Sequence, residues 1–227
     1  MDYTYRDIAK MIDHSLLAPA LSGAELERGV ALAREYDVAT VCIMPSYLPM
    51  CVQLLAGSTV KPTTTVGFPH GGHATATKVA EAQRALVDGA EELDMVININ
   101  RAVSGDWAYV EADIRAVCEA VHGAGRKLKV IFENCYLTDE HKVRLCRICG
   151  EVGVDWVKTS TGYGTGGATV EDVKLMRRHS PPQVQVKVAG GVRTLDALLE
   201  MRSLGVTRVG ASRTANILDE CKRRLGL

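Results

Sequence analysis

The sequence predicts an α/β fold, an eight-stranded TIM (β/α)8 barrel, and three observations carry that prediction. Apolar, strand-like stretches alternate with helical patterns from one end of the 227 residues to the other. Several of those stretches are rich in Val and Ile without strict alternation, as strands covered on both faces are. The phrases DGAEELD, GEVGVDWVKTS and LGVTRVGAS share one order: helix end, short turn, buried strand. An open doubly wound sheet is the alternative. In either fold, chemistry is expected beyond the C-terminal ends of the strands.

A short helix over Tyr5–Ala9 is expected to cap the bottom of the barrel, leading into a first strand at Lys10–His14. Ser22, with Glu25 three residues on, opens a helix over Gly23–Tyr36. A second strand, Val38–Ile43, and a helix, Ser46–Leu54, follow. The third strand is Thr63–Gly67, with a helix over Ala74–Asp88 that Gly89 stops. Leu93–Ile97 and Lys127–Phe132 supply the fourth and fifth strands, separated by a helix over Trp107–His122 that ends at Gly123. Thr138 is placed as the N-cap of a helix over Asp139–Gly150, again ended by glycine. The sixth strand, Asp155–Lys158, precedes a helix at Val170–Arg178. The seventh, Val184–Val188, precedes Leu195–Ser203, with Gly205 as its stop. The eighth, Thr207–Val209, leads to a last helix at Ala215–Arg224. No linker, low-complexity segment or close repeat interrupts the series, so residues 1–227 read as one domain.

Lys plus Arg and Asp plus Glu number 27 each, a balance that gives no case for a nucleic-acid binder. No apolar run reaches membrane-spanning length and MDYTYRDIAK lacks a secretory apolar stretch, so the cytosol is the expected compartment, with no membrane partner. The seven cysteines are odd in number and irregularly spaced, which argues against a disulfide framework. Cys146 and Cys149 form a CxxC, but within a helical pattern that makes both ordinary buried thiols.

Lys158 stands where the apolar strand of VDWVKTSTGYGTGG meets a Gly- and Thr-rich loop. A lysine there must find an ion partner, reach water or release its proton, because an isolated buried ammonium is expensive. Position alone leaves a nucleophilic amine and a phosphate grip equally open. Lys187, in QVQVKVAGG, closes the next strand. Two neighbouring ammonium groups disfavour the doubly charged state, so one amine is expected neutral and able to form an iminium with an aldehyde. Asp94 lies inside the apolar strand of GAEELDMVININ, as a proton-transfer group or as the lysines' ion partner. Asp13 and His14 form a second polar point at the first strand: Asp13 is expected as a supporting carboxylate behind the reacting groups, and His14 is open between structure and pocket wall. Cys42 ends the second strand and is open between a buried thiol and a pocket residue.

Phosphate is expected at the glycine turns after the last strands. Gly190 and Gly191 admit close backbone approach, while Gly210 and Ser212 precede a helix start with free N–H groups. Gly162 adds a third flexible backbone point. His70 and His73 are the only close histidine pair, and with no third ligand in view they make a weak zinc site. A barrel isomerase or synthase on another phosphorylated sugar, and a non-catalytic metabolite binder, remain competing readings.

The segments IDHSLL, VCIMPSY, TTTVGFPHG, ATKVAEA, GAEELDMVININ, CYLTDE, VKTSTGYGTGGAT, VKVAGGVRT and VGASR resemble the 2-deoxyribose-5-phosphate aldolase family over nearly the whole chain. The resemblance implies a class I, Schiff-base-forming aldolase that splits 2-deoxy-D-ribose 5-phosphate into acetaldehyde and D-glyceraldehyde 3-phosphate. It needs no cofactor and no metal, and a homodimer is familiar in the family. It implies Lys158 as the Schiff-base lysine, Asp94 and Lys187 as proton-transfer carboxylate and activating lysine, and Thr161 as a pocket residue. Gly162, Gly190, Gly191, Gly210 and Ser212 match the family's phosphate loops. ININRAVSG replaces the family's commoner INIGALKSG, altering the loop after the fourth strand at Asn100 and Arg101.

Overall fold

A computed structural model describes residues 2–227. Helix α1 (Tyr5–Ala9) leads into strand β1 (Ile12–Leu16), α2 (Gly23–Glu35), β2 (Thr40–Ile43), α3 (Leu48–Leu55), β3 (Lys61–Val66) and α4 (Thr75–Val87). Then come β4 (Glu92–Val96), α5 (Ile99–Val103), α6 (Trp107–Gly123), β5 (Lys127–Ile131), α7 (Asp139–Val152) and β6 (Trp156–Lys158). The chain ends with α8 (Val170–His179), β7 (Gln185–Ala189), α9 (Leu195–Ser203), β8 (Val206–Ala211) and α10 (Thr214–Leu225). All neighbouring strands are parallel and in sequence order. β8 closes on β1 through the pairs Ile12–Val209, Asp13–Gly210 and His14–Ala211, which rules out the open sheet.

The capping signals act as their chemistry requires. The Ser22 hydroxyl accepts the Glu25 N–H while the Glu25 carboxylate accepts the Ser22 N–H, and Thr138 and His141 form the same reciprocal pair. The first strand begins two residues later than expected, because Lys10 caps α1 and the Met11 N–H bonds back to Ile8. Gly150 does not stop α7; the left-handed cap is Gly153, at φ +84°. Gly150 is small for a different reason: a Cβ there would lie 2.9 Å from the Pro181 ring. Helix α5 was not expected. The run MVININ leaves the sheet at Asn98, and Ala102 then carries the next turn into the core.

The strands bury both faces. Outward residues such as Ile12, Val41, Leu93, Val130 and Val209 are buried beneath the helices in one apolar layer. Inward residues at the centre of the barrel are charged, where such barrels ordinarily hold branched apolar side chains. None of the described helices is long and apolar enough to cross a membrane.

Candidate active site

Asp94, on β4, is the hub of the barrel interior. Its Oδ2 accepts hydrogen bonds from Lys158 Nζ at 2.7 Å and Lys187 Nζ at 2.6 Å, and its Oδ1 accepts from Lys129 Nζ at 2.9 Å. Lys158 and Lys187 share a single carboxylate oxygen, so their nitrogens lie no farther apart than those two bond lengths together. Adjacent parallel strands place them side by side: Lys158 pairs with Lys187 in the β6–β7 register. Asp13 accepts from Lys187 at 2.5 Å and from Arg208 at 2.7 Å, and lies 3.4 Å from Lys129. Glu92 completes the cluster, 2.5 Å from Lys129 and 2.9 Å from Arg208.

Three carboxylates therefore face four cations in a space almost closed to solvent. Fully ionised, the cluster carries one positive charge in excess, and it balances when one amine gives up its proton. Arg208 and Lys129 are not the donors of that proton: burial pushes each downward, but the surrounding carboxylates outweigh it and hold both above their ordinary values. Lys187 moves the other way. Burial lowers it, Asp13 and Asp94 oppose that, and the Lys129 and Lys158 ammonium groups reinforce it. Burial raises Asp94, yet Lys129, Lys158 and Lys187 overcome it and hold the carboxyl far below the usual range. Asp94 is thus a fixed anion and a poor base. The excess positive charge therefore lies at the end of the cluster where Lys158 and Lys187 share Asp94 Oδ2.

Within that pair the two amines are not equivalent. Lys187 donates to two carboxylates, Asp13 and Asp94, whereas Lys158 donates only to the oxygen it shares. Lys158 also keeps 3% of its side chain exposed, against 1% for Lys187 and none for Lys129. The amine nearest the mouth is the one least engaged.

Asp13 is in direct contact with Lys187, closer to the chemistry than a supporting carboxylate. His14 is a correction. Strand parity that turns Asp13 inward turns His14 outward, where its Nδ1 lies 2.8 Å from the Thr214 hydroxyl of α10. Leu16, of the same parity, packs on Gly29 of α2. Burial lowers His14 to about 4, so it is a neutral structural side chain and no pocket wall. Cys42 faces the interior, 1% exposed, and burial lifts its thiol to about 11. Thr161 turns toward Glu133, which accepts its N–H at 3.1 Å and its hydroxyl. Glu133 itself sits at φ +59° and is buried.

The three glycine loops lie side by side. Gly162 follows β6 at φ +91°, Gly190 and Gly191 follow β7 at φ +76° and +109°, and Gly210 lies in β8 ahead of the exposed Ser212. The first two loops are laced together, since the Ala168 N–H donates to Gly190 O at 3.0 Å. A Cβ on Gly167 would fall 2.2 Å from that same carbonyl, so only glycine fits. Arg213 offers α10 no side-chain cap, which leaves the helix's first N–H groups without that partner.

Lys129, Glu92, Arg208 and Glu133 were missed in the sequence, although each is a charge in or ending an apolar strand, the signal that singled out Asp94. Among the described residues no three His, Cys, Asp or Glu side chains converge as a metal ion would need, and His70 instead lines a cavity of about 720 Å³ at the barrel mouth. Asn100, Tyr136 and Tyr163 line that cavity too. A groove of about 870 Å³ beside Trp107 and Arg144 lies on the outer face of α6 and α7, away from the charge cluster.

The model of the DeoC/LacD family of aldolases matches residues 8–213. A deoxyribose-phosphate aldolase of Rhodopirellula baltica is 62% identical over 226 residues, spanning all of this chain and 94% of its own. The solved structure of QR15, an aldolase, superposes with a TM-score of 0.91 at 34% identity, covering 97% of this chain and 99% of that one. A deoxyribose phosphate aldolase from Aeropyrum pernix, described as having a unique tetrameric structure, gives 0.89 at 27% identity, with 96% and 92% covered.

Proposed function

This chain belongs to the DeoC/LacD family of aldolases, and from that premise we propose that its charge cluster performs a Schiff-base retro-aldol reaction with Lys158 as nucleophile. It is a deoxyribose-phosphate aldolase, cleaving 2-deoxy-D-ribose 5-phosphate reversibly to acetaldehyde and D-glyceraldehyde 3-phosphate. The observation that carries the role of Lys158 is the carboxylate oxygen it shares with Lys187 inside a cluster holding one surplus positive charge.

Neutral Lys158 adds to C1 of the open-chain sugar, and loss of water gives an iminium. The C3 hydroxyl then loses its proton, the C2–C3 bond breaks, and its electron pair neutralises the iminium as a two-carbon enamine. Glyceraldehyde 3-phosphate departs with the new carbonyl at the old C3. Protonation of the enamine carbon and addition of water release acetaldehyde and restore the amine. Lys187, whose hold on its proton is weakened by burial, is the proton donor and acceptor at the Lys158 nitrogen. Asp94 fixes both amines and offsets the positive charge of the iminium, which makes it an electrostatic partner more than a base. The loops at Gly162, Gly190, Gly191, Gly210 and Ser212 hold the phosphate with backbone N–H groups, and Thr161 keeps its loop in place through Glu133. No step requires a metal or an organic cofactor.

Borohydride added with acetaldehyde freezes the imine as a secondary amine. Peptide mass spectrometry is expected to find the two-carbon addition on Lys158; an addition on Lys187 or Lys129 would reverse the assignment, and none at all would favour a non-covalent isomerase. A cytosolic homodimer is the assembly proposed, the commonest closed form for a soluble oligomer, and light scattering separates it from a tetramer.

A further inference from the structure

The Lys158 side chain is only 3% exposed, so a carbonyl carbon reaches its amine when something at the mouth moves. The group positioned to move is Tyr163, five residues on in the loop after β6. Its hydroxyl donates to the carbonyl of Leu17, just after β1. Its ring stands edge-on to Phe68, after β3, with centroids 5.5 Å apart. β1 and β3 are each three strands from β6 around the ring, so this side chain crosses the barrel mouth.

The segment carrying it is held at both ends, with one open hinge point at Gly162. At one end Glu133 grips the Thr161 N–H and hydroxyl, and the Tyr163 N–H donates to Thr161 Oγ1 at 2.9 Å. At the other, the Ala168 N–H donates to the carbonyls of Ala189 and Gly190. Between the anchors, Gly162 (φ +91°) has open space around it, whereas Gly164, Gly166 and Gly167 pack closely on Cys135 and the Gly190 carbonyl. Tyr163 is 46% exposed, so little apolar contact is lost if its ring swings out. On its outer side is the cavity of about 720 Å³, which Tyr163 itself walls.

We propose that Tyr163 is the latch of a gate over Lys158, closed by its bond to the Leu17 carbonyl and opened about Gly162 to admit the aldehyde from the outer cavity. In this role it is a positioning residue that touches neither the amine nor the carbonyl. The proposal rests on Lys158 being the reactive amine.

The test is Tyr163→Phe, which keeps the ring on Phe68 and deletes only the hydroxyl. The second-order rate of acetaldehyde trapping on Lys158, at saturating borohydride, is expected to rise about 2- to 10-fold, the span for one net neutral hydrogen bond. Backbone amide hydrogen exchange over residues 162–167 is expected to quicken by a similar factor without substrate present. Exchange at the parent rate would overturn the latch. Faster exchange with unchanged or slower trapping would overturn the gate, since the loop would open without governing entry. If the parent protein instead carries its adduct on another lysine, the assignment of Lys158 fails, and the exchange rate alone decides whether the bond to Leu17 holds the loop shut.

Discussion

Lys158→Met is expected to abolish cleavage, by about 10⁴-fold or more in kcat, the scale on which an enzyme loses its covalent nucleophile. Borohydride trapping should lose its adduct at the same time. The charge count makes a second prediction of opposite sign. Removing Lys158 leaves Lys129, Lys187 and Arg208 against Asp13, Glu92 and Asp94, three cations against three carboxylates. The surplus charge is gone, and a thioether of similar length fills the site. Replacing a buried ionic group by a packed apolar one is often neutral or stabilising. The urea midpoint is therefore expected to hold or rise while activity disappears. A lower midpoint would mean that Lys158 serves the fold.

Asp94→Asn is expected to do the reverse to stability. Its carboxylate carries the hydrogen bonds of three lysines on two oxygens. An amide of the same shape leaves four cations facing two carboxylates, with an N–H₂ group turned toward at least one ammonium. Breaking buried ion pairs from one side costs roughly 3–5 kcal/mol, a large share of the stability of a domain this size. Activity should fall about 10²- to 10³-fold, because nothing then fixes Lys158 or offsets the iminium charge. Urea unfolding and steady-state rates on the same preparation measure both effects. Unchanged stability would contradict the hub seen here.

The barrel was legible in the sequence because its strands are buried on both faces, several read as Val- and Ile-rich runs, and five of the eight are fed by a glycine turn. Asp94, Lys158 and Lys187 stood out for the same reason, as charges where an apolar residue was due. That very pattern hides parity. A strand with no apolar–polar alternation does not say which of Asp13 and His14 faces in, and His14 faces out against Thr214. Glu92 and Arg208 were overlooked because each lies near the start of its strand, beside Glu91 and Thr207, which read as a strand's exposed end, whereas Lys129, between Leu128 and Val130 and paired with Asp94, carried the same signal unread. Only the closed ring brings β1, β4, β5 and β8 to one interior, where those ends meet across it. The short α5 was invisible because ININ continues the strand's own apolar signal, and the turn at Asn98 depends on packing of Ala102 that no local spacing reports.

The central claim is that one proton is in surplus between Lys158 and Lys187, and Lys187→Met tests it most directly. With Lys187 gone, the remaining three cations match the three carboxylates, and no amine has an electrostatic reason to stand neutral. Trapping of acetaldehyde on Lys158 should be followed from pH 5 to 10 in both proteins. The half-maximal point is expected to move upward by about one pH unit or more in the variant, equivalent to roughly 1.4 kcal/mol of lost coupling. A profile that superposes on the parent's, with the adduct still on Lys158, would contradict it.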